Sequence, residues 1–402
     1  MSLKNNKDEK IKDFFKRSVI INEIEEVLSF KPDTLIGIDK ISADSLREIN
    51  IITIEDLAGR NAENPPEIRG ILPQIFTKWI KIAQVLEKAV KEQLKAQKKI
   101  LMIGLDNGGK TSILAVLQDK FSIIKDLLPT RGVQREKLDF FGYPIISWDL
   151  GGQVQYREKL YFNKPELYFS DADLILYVID IQDADRIAES ANYFKLVLTA
   201  LSDLNENPPI LVVLNKSDQD VRRTLQWQKR VDTVKNTFDK VVDEWDTFEI
   251  DYRDTSIFQK ETIMQMFSAA LMKISDTSEI VENILEDFAV QIEGRALSLI
   301  SMDGLIFGSY TRNKIDENLV NNSALLLQTL SNFHSSMGLM REKQIVLELP
   351  LNGFTIRGEK LFEYSELLIP VYLWLLSEKP ELLEEKLDFF KEQLLPLINL
   401  FI

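Results

Sequence analysis

Residues 98–118 read KKILMIGLDNGGKTSILAVLQ, with apolar segments on both sides of a glycine-rich loop. The loop, residues 104–111, matches the pattern G-x-x-x-x-G-K-[S/T], and it lies between a predicted strand and a predicted helix. Glycines allow backbone N–H groups to converge on phosphate oxygens, and the helix adds the positive end of its dipole. The stretch therefore predicts a loop that binds the phosphates of a nucleotide.

The chemistry of this loop assigns roles to single residues. Lys110 would reach the β- and γ-phosphates, and the hydroxyl of Thr111 would ligate Mg²⁺. The predicted nucleotide-binding residues of this segment are Asp106, Asn107, Gly108, Gly109, Lys110, Thr111 and Ser112. Taken alone, the pattern predicts an NTP-binding protein and does not say which nucleotide it takes.

Two downstream motifs fit the surroundings of a γ-phosphate. Residues 148–153 read WDLGGQ, in which Asp149 would hold Mg²⁺ through its water shell and the N–H of Gly152 would bond the γ-phosphate. Gln153 would orient the attacking water. Pro129-Thr130 lies between the first helix and the second strand, where the threonine hydroxyl would ligate Mg²⁺. We assign catalytic roles to Gln153, Lys110 and Thr130, and metal binding to Thr111, Thr130 and Asp149.

A tetrapeptide after a later apolar strand indicates which base is bound. In Asn215-Lys216-Ser217-Asp218, the carboxylate of Asp218 can accept both N1–H and the exocyclic amino group of guanine, which adenine cannot present. Asn215 would tie this loop to the phosphate loop, and the stem of Lys216 would lie over the base. Thr255-Ser256 would supply a backbone donor to the guanine O6. The bound nucleotide is therefore predicted to be GTP or GDP.

The composition excludes several classes of protein. The chain has 402 residues, a net charge of −14, no cysteine and a single histidine, His334. These values argue against a broad basic surface for nucleic acid, against disulfides and thiolate metal sites, and against a conventional zinc site. No segment reaches the roughly 18 uninterrupted apolar residues of a membrane span. We expect a cytoplasmic protein that reaches membranes only through a partner.

Hydrophobic patterning divides the chain into three regions. Apolar spacing predicts one amphipathic helix over residues 10–29, short helices around a turn at Gly37, and a long helix over residues 71–98. Six candidate strands follow, the last over residues 248–250, and they alternate with helices such as those over residues 185–201 and 221–244. This order indicates a mainly parallel sheet. The last region predicts helix, two strands, helix, three strands and helix, with Asp303-Gly304 in the first hairpin.

The order GLDNGGKT, PT, WDLGGQ, NKSD and TSI resembles the Arf/Rag branch of the small GTPases. The resemblance implies an α/β fold in which a Ras-like P-loop domain with a six-stranded, mainly parallel sheet is followed by an α+β, roadblock-like dimerisation domain. The short helices around the turn at Gly37 resemble a helix-hairpin-helix module instead, so we expect an all-α domain before the GTPase domain. The predicted boundaries are 1–30 for the N-terminal helix, 31–97, 98–275 for the GTPase domain, and 276–402.

The resemblance also implies a mechanism and partners. We expect a switch that binds GTP or GDP with Mg²⁺, hydrolyses GTP slowly, and depends on a GTPase-activating protein and an exchange factor. Asp106 should crowd the approach of an arginine from another protein. One alternative is a poorly hydrolysing, Rag-type scaffold that forms homo- or heterodimers through its C-terminal domain. Another is a nucleic-acid-linked GTPase acting through residues 31–97, where we prefer a protein partner because no basic stripe is present.

Overall fold

The computed structural model describes most of the chain and divides it into two units. The described residues are 10–21, 23–91, 98–118, 120–126, 130, 132–140, 143–153, 161–302, 304–338, 342–349, 353–364 and 369–399. One unit is Ala96–Ile274, and the other combines Met1–Lys95 with Ser275–Ile402. Two residues of the predicted motifs, Pro129 and Asp303, lie outside the described residues.

The prediction of one helix over residues 10–29 is wrong. Only residues 10–12 are helical at its start, and a 3₁₀ helix, Ile24–Ser29, forms near its end. Between them Phe15 pairs with Leu35 in an antiparallel bridge, and the N–H of Ile36 donates to the carbonyl of Phe14 at 3.0 Å. Phe14 and Phe15 are both buried. Consecutive buried side chains suit an extended backbone, whose neighbouring residues point to opposite sides.

Three α-helices follow among the described residues up to residue 91. They are α1 (Lys40–Glu48), α2 (Ile54–Ala58) and α3 (Pro73–Val90). Asp39 accepts a hydrogen bond from the N–H of Ser42 at 2.7 Å and so caps α1, while Thr53 and Asp56 form a capping box at α2. Gly37 has the positive φ, 88°, that its predicted turn requires.

The second region forms the predicted six-stranded sheet, so the predicted fold class is confirmed. Its elements are β1 (Lys98–Ile103), α4 (Lys110–Leu117), β2 (Val133–Phe140), β3 (Tyr143–Leu150), α5 (Pro165–Tyr168), β4 (Leu174–Asp180), α6 (Ile187–Asp203), β5 (Ile210–Asn215), α7 (Gln219–Arg222), α8 (Leu225–Val242), β6 (Ile250–Asp254) and α9 (Lys260–Ile274). The strand order is β2-β3-β1-β4-β5-β6, in which only the β2–β3 pair is antiparallel. The carboxyl ends of the five parallel strands therefore share one edge, where ligands bind in such sheets.

Several element boundaries differ from the sequence prediction, most clearly those of the last strand and of the helix before it. The last strand begins at Ile250, whereas residues 248–250 were predicted. The helix predicted over residues 221–244 is two helices, α7 and α8, because Thr224 has an extended backbone and its hydroxyl accepts from the N–H of Trp227 at 3.1 Å. That hydrogen bond caps α8 and separates it from α7.

The C-terminal region has the predicted order of helices and strands. It contains α10 (Ser278–Gln291), β7 (Ala296–Ser301), β8 (Ile306–Thr311), α11 (Lys314–Ser336), β9 (Gln344–Leu349), β10 (Phe354–Tyr364), β11 (Ile369–Ser377) and α12 (Leu387–Asn399). The strands form one antiparallel sheet in the order β8-β7-β11-β10-β9. β11 is buried along its whole length, because it lies at the centre of this sheet.

The N-terminal helices and the C-terminal region form one unit, although the sequence predicted separate domains for them. Lys88 on α3 lies 3.3 Å from Asp276, and Lys78 donates to Gln393 on α12 at 2.9 Å. Trp79, Ile80 and other residues of α3 are buried, and this apolar surface packs partly against α10. Within the described ranges, no helix combines the length and the apolar character needed to cross a membrane.

Candidate nucleotide-binding site

The glycine-rich loop passes very close to the neighbouring strand β4. A Cβ atom on Gly104 would lie 2.1 Å from the carbonyl oxygen of Val178, and the φ of Gly104 is 143°. A Cβ on Gly109 would lie 2.2 Å from Nδ2 of Asn215, at a φ of 92°. Asn107 is also left-handed, with a φ of 62°. Glycine is therefore required at positions 104 and 109 on both steric and conformational grounds.

Lys110 begins α4 and folds back into the loop. Its ammonium donates to the carbonyl of Gly104 at 3.0 Å and to that of Leu105 at 2.9 Å. The residue is only 6% exposed. A buried ammonium requires compensating acceptors, and the amide-rich loop around it would complement an anion. The structure thus places the predicted phosphate-binding lysine inside the loop. Ser112 lies half-buried in the first turn of the same helix.

The three residues predicted to bind the metal come together from three segments of the chain. The hydroxyl of Thr111 lies 2.5 Å from Oδ2 of Asp149 and 3.0 Å from the hydroxyl of Thr130. The Thr130 hydroxyl donates to the same Oδ2 at 2.9 Å. Oδ1 of Asp149 is buried and, among the described residues, makes no hydrogen bond. Mg²⁺ prefers a few oxygen ligands of this kind together with phosphate and water, so the cluster fits that ion.

The motif that carries the predicted catalytic glutamine packs against the phosphate loop. A Cβ on Gly152 would lie 2.1 Å from the backbone N of Asp106, so no larger residue fits there. Gln153 follows directly and is half-buried. The hydroxyl of Tyr161 donates to the carbonyls of Gly132 at 2.8 Å and of Gly151 at 3.2 Å. Tyr161 therefore connects the segments before and after the β2–β3 hairpin, a role the sequence did not indicate.

Asn215 links the predicted base site to the phosphate loop. Its Nδ2 donates to the carbonyl of Gly108 at 2.8 Å, and its Oδ1 accepts from the hydroxyl of Thr255 at 3.1 Å. Asn215 is 1% exposed, and Thr255 is fully buried. This is the contact that the sequence analysis expected of Asn215.

The side chain of Asp218 lies beside the TSI segment. The hydroxyl of Ser256 donates to Oδ1 of Asp218 at 2.5 Å. The backbone N–H of Ser256 donates to the hydroxyl of Thr262 at 3.0 Å, and that of Thr255 donates to the carbonyl of Leu214 at 3.0 Å. Both N–H groups thus have partners within the protein. Thr255 and Ser256 orient Asn215 and Asp218, while their role as donors to the guanine O6 stays a prediction.

Lys216 and Arg186 have carboxylate partners that the sequence analysis did not name. The ammonium of Lys216 lies 2.7 Å from Oδ2 of Asp180, at the end of β4. Nη2 of Arg186 lies 2.7 Å from Oδ1 of Asp106 in the phosphate loop. The sequence could have indicated Asp180 as a site residue, because it lies at the carboxyl end of a predicted parallel strand. No motif in the sequence indicated a role for Arg186.

Comparison with known families identifies this arrangement. The model of the Gtr1/RagA G protein conserved region matches residues 99–337, which is more than half of the chain. The chain belongs to the Gtr1/RagA family of G proteins. Its second region is therefore a GTP-binding domain of the Arf/Rag type of small GTPase.

Curated relatives are similar to part of this Gtr1/RagA-family chain. ADP-ribosylation factor-like protein 3 of Chlamydomonas reinhardtii is 37% identical over 120 residues, 30% of this chain and 63% of that protein. ADP-ribosylation factor 3 of Arabidopsis thaliana is 34% identical over 30% of this chain and 61% of its own length. ADP-ribosylation factor-like protein 1 of Drosophila melanogaster is 38% identical over 123 residues. The chain thus spans about three fifths of the length of the relatives it matches.

A solved structure is also similar to part of the chain. The Arl6 small GTPase of Trypanosoma brucei, solved with a bound nucleotide analogue, covers 44% of this chain and 97% of its own. The TM-score is 0.36 and the sequence identity is 19%. At that score the overlap adds nothing to the family assignment.

We predict that Asn215→Ala speeds nucleotide release from this Gtr1/RagA-family domain. The substitution leaves the carbonyl of Gly108 and the hydroxyl of Thr255 without their partner, at a cost of about 1–3 kcal/mol for an unsatisfied buried group. The dissociation rate of a fluorescent GDP should rise on the order of tenfold or more. Asn236→Ala, at an exposed position of α8, is the control and should change the rate by less than twofold. Equal rates for both variants would contradict this role of Asn215.

Proposed function

We propose that this chain is a GTP-hydrolysing molecular switch that uses Mg²⁺. The observation that carries the proposal is the cluster of Thr111, Thr130 and Asp149 oxygens, which lies in the same site as the buried ammonium of Lys110. These are the groups that hold the metal and the β- and γ-phosphates in P-loop NTPases. Thr130 comes from the segment before β2, so a ligand that engages it would also contact that segment.

Each site residue has a distinct role in the proposed reaction. Bound Mg²⁺ would neutralise charge that develops on the phosphate oxygens. Lys110 would hold the γ-phosphate, the N–H of Gly152 would donate to it, and Gln153 would orient the attacking water. Asp106, Asn107, Gly108, Gly109 and Ser112 contribute the loop and the helix start around the phosphates.

Selection of guanine over adenine rests on the carboxylate of Asp218. Its hydrogen bond with Ser256 fixes one oxygen, and the carboxylate retains acceptor capacity for N1–H and the exocyclic amino group of guanine. Asn215 holds this loop at a defined distance from the phosphate loop through Gly108. The proposed site would therefore bind one nucleotide through both its base and its phosphates.

The proposed switch depends on partners for its timing. Without an arginine from a partner, such sites turn over on the order of 10⁻⁴ to 10⁻² s⁻¹, and a supplied arginine adds about 10³–10⁵-fold. We therefore propose a GTPase-activating protein and an exchange factor as partners. The helices before residue 91 would bind another protein, and a cytoplasmic chain would reach a membrane through such a partner.

We predict that Gln153→Leu retains GTP binding and lowers hydrolysis at least severalfold. A leucine cannot orient water, and it removes no group that we assign to nucleotide affinity. Single-turnover hydrolysis of GTP by the full chain with Mg²⁺ is the measurement, alongside the dissociation constant for a non-hydrolysable GTP analogue. Gln228→Leu, on the exposed face of α8, is the matched control and should hydrolyse at the wild-type rate.

Equal single-turnover rates for Gln153→Leu and the wild type would remove Gln153 from the mechanism. A wild type that binds GTP with Mg²⁺ but releases no phosphate would reject the hydrolytic switch as a whole. That second result would favour the poorly hydrolysing scaffold.

A specific surface favours the scaffold as a second candidate function. On α11, Leu326, Leu330 and Phe333 are 49%, 39% and 59% exposed. Their spacing of four and then three residues places them on one face of the helix. Large exposed apolar side chains that share one helix face are suited to contact with a second chain. A homo- or heterodimer formed through the C-terminal region, as in roadblock-like domains, would use it.

We predict that the full chain sediments as a concentration-dependent dimer and that Phe333→Glu weakens the dimer on the order of tenfold or more. A charge buried at an apolar interface lacks a partner and is costly. Leu196→Glu is the control, since Leu196 is an exposed leucine, 52% accessible, on α6. A strict monomer in both the GDP and the GTP states would remove the homodimeric platform.

Salt-dependent binding of the chain to duplex DNA would instead support the nucleic-acid-linked alternative.

A further inference from the structure

Arg186 forms an ion pair with the acidic residue of the phosphate loop. Its Nη2 lies 2.7 Å from Oδ1 of Asp106, and its Nη1 lies 3.4 Å from the carbonyl oxygen of the same residue. Arg186 ends the 3₁₀ helix Ala184–Arg186 that precedes α6. The contact therefore connects the loop after β4 with the loop after β1, the two strands that pair at the centre of the sheet.

A second carboxylate holds the guanidinium in place. Nε of Arg186 donates to Oε2 of Glu189 at 2.9 Å, one turn along the chain. Glu189, followed by Asp106, raises the pKa of Arg186 above its ordinary value, so the guanidinium stays charged. Glu189 engages the Nε edge of the planar group, where its Oε1 also lies 3.4 Å from Nη2. The end of the group that carries Nη1 and Nη2 is directed at Asp106 in the phosphate loop.

Asp106 places a negative charge in a loop that we assign to phosphate binding. The loop begins at Gly104 and ends at the ammonium of Lys110, and its N–H groups are suited to anions. A carboxylate in this segment would repel the γ-phosphate, which is the charged group that GTP has and GDP lacks. The backbone N of Asp106 lies next to Gly152, whose N–H we assign to the γ-phosphate, so Asp106 is in the part of the loop where that repulsion acts.

We propose that Arg186 is a positioning residue that neutralises Asp106 and directs its carboxylate away from the γ-phosphate, so that the site keeps its affinity for GTP relative to GDP. The inference rests on the proposed function, because it assumes that Lys110 and its loop bind the phosphates. Arg186 itself contacts no phosphate in this account. Its effect passes entirely through Asp106.

The expected size of the effect follows from the exposure of the pair. The side chains of Arg186 and Asp106 are 31% and 41% exposed, so solvent and salt weaken the interaction. One unit of charge acting across several ångströms in such surroundings changes a binding constant by about threefold to tenfold. The effect should be larger at low ionic strength than at high ionic strength.

The test measures dissociation constants of the full chain for fluorescent GDP and for a fluorescent, non-hydrolysable GTP analogue, with Mg²⁺ present. Arg186→Gln should lower the GTP-to-GDP affinity ratio about threefold to tenfold, mainly by weakening GTP. In a chain that carries Asp106→Asn, the further change Arg186→Gln should alter the ratio by less than twofold, because the charge to be neutralised is gone. Arg186→Lys keeps the charge and should restore part of the ratio.

Lys195→Gln is the matched control on α6. It also removes one cation from that helix and breaks an ion pair, with Glu244, away from the phosphate loop. Its ratio should equal that of the wild type. A ratio for Arg186→Gln within twofold of the wild type overturns the proposal.

An equal loss from Arg186→Gln in the presence and in the absence of Asp106→Asn also overturns the proposal, since Arg186 would then act without Asp106. Nucleotide binding by the wild-type chain tests the proposed function separately. A wild-type chain that binds neither guanine nucleotide removes both ideas. A wild-type chain that binds both, with an unchanged ratio in Arg186→Gln, removes only the role of Arg186.

Discussion

The close approach of the phosphate loop to β4 is the constraint on which the rest of the site depends. Because Gly104 lies directly against the carbonyl of Val178, the loop can turn back over the end of β1. The turn brings Lys110 under its own loop carbonyls and points Thr111 toward Asp149. A side chain at position 104 would push the loop outward and separate these groups. Packing of backbone on backbone, more than any single hydrogen bond, therefore sets the geometry of the site.

The motifs could be predicted from the sequence because their chemistry depends on backbone geometry and fixed spacing. Glycine at positions 104 and 109, with a lysine next, is a local requirement, and parallel strands bring Asp149 and Asn215 to the same edge as that loop. The convergence of Thr130 with Thr111 and Asp149 depended on its place between the first helix and second strand. The structure agrees with that placement.

Other features could not be predicted, because they depend on contacts between distant residues. Residues 10–29 carry apolar side chains at helical spacing, yet pairing of Phe15 with Leu35 keeps the middle extended. The N–H groups of Thr255 and Ser256 have partners in β5 and α9 that no local pattern reveals. Arg186 follows an ordinary acidic turn, and only the folded sheet brings it to Asp106. The sequence also did not predict that the first 95 residues and the C-terminal region form one unit, because that too depends on contacts between distant residues.

We interpret the site as one in which the phosphate loop binds the phosphates of the nucleotide and Asp218 selects guanine. Competition between nucleotides tests this interpretation most directly. The full chain would be loaded with fluorescent GDP in the presence of Mg²⁺ and challenged with GTP or ATP, together with Asp218→Asn and the exposed control Asp220→Asn. The account predicts that GTP displaces the probe at least a hundredfold better than ATP, since two hydrogen bonds to a charged group are at stake. It also predicts that only Asp218→Asn weakens guanine binding strongly. Equal displacement by ATP, or no bound nucleotide at all, would contradict it.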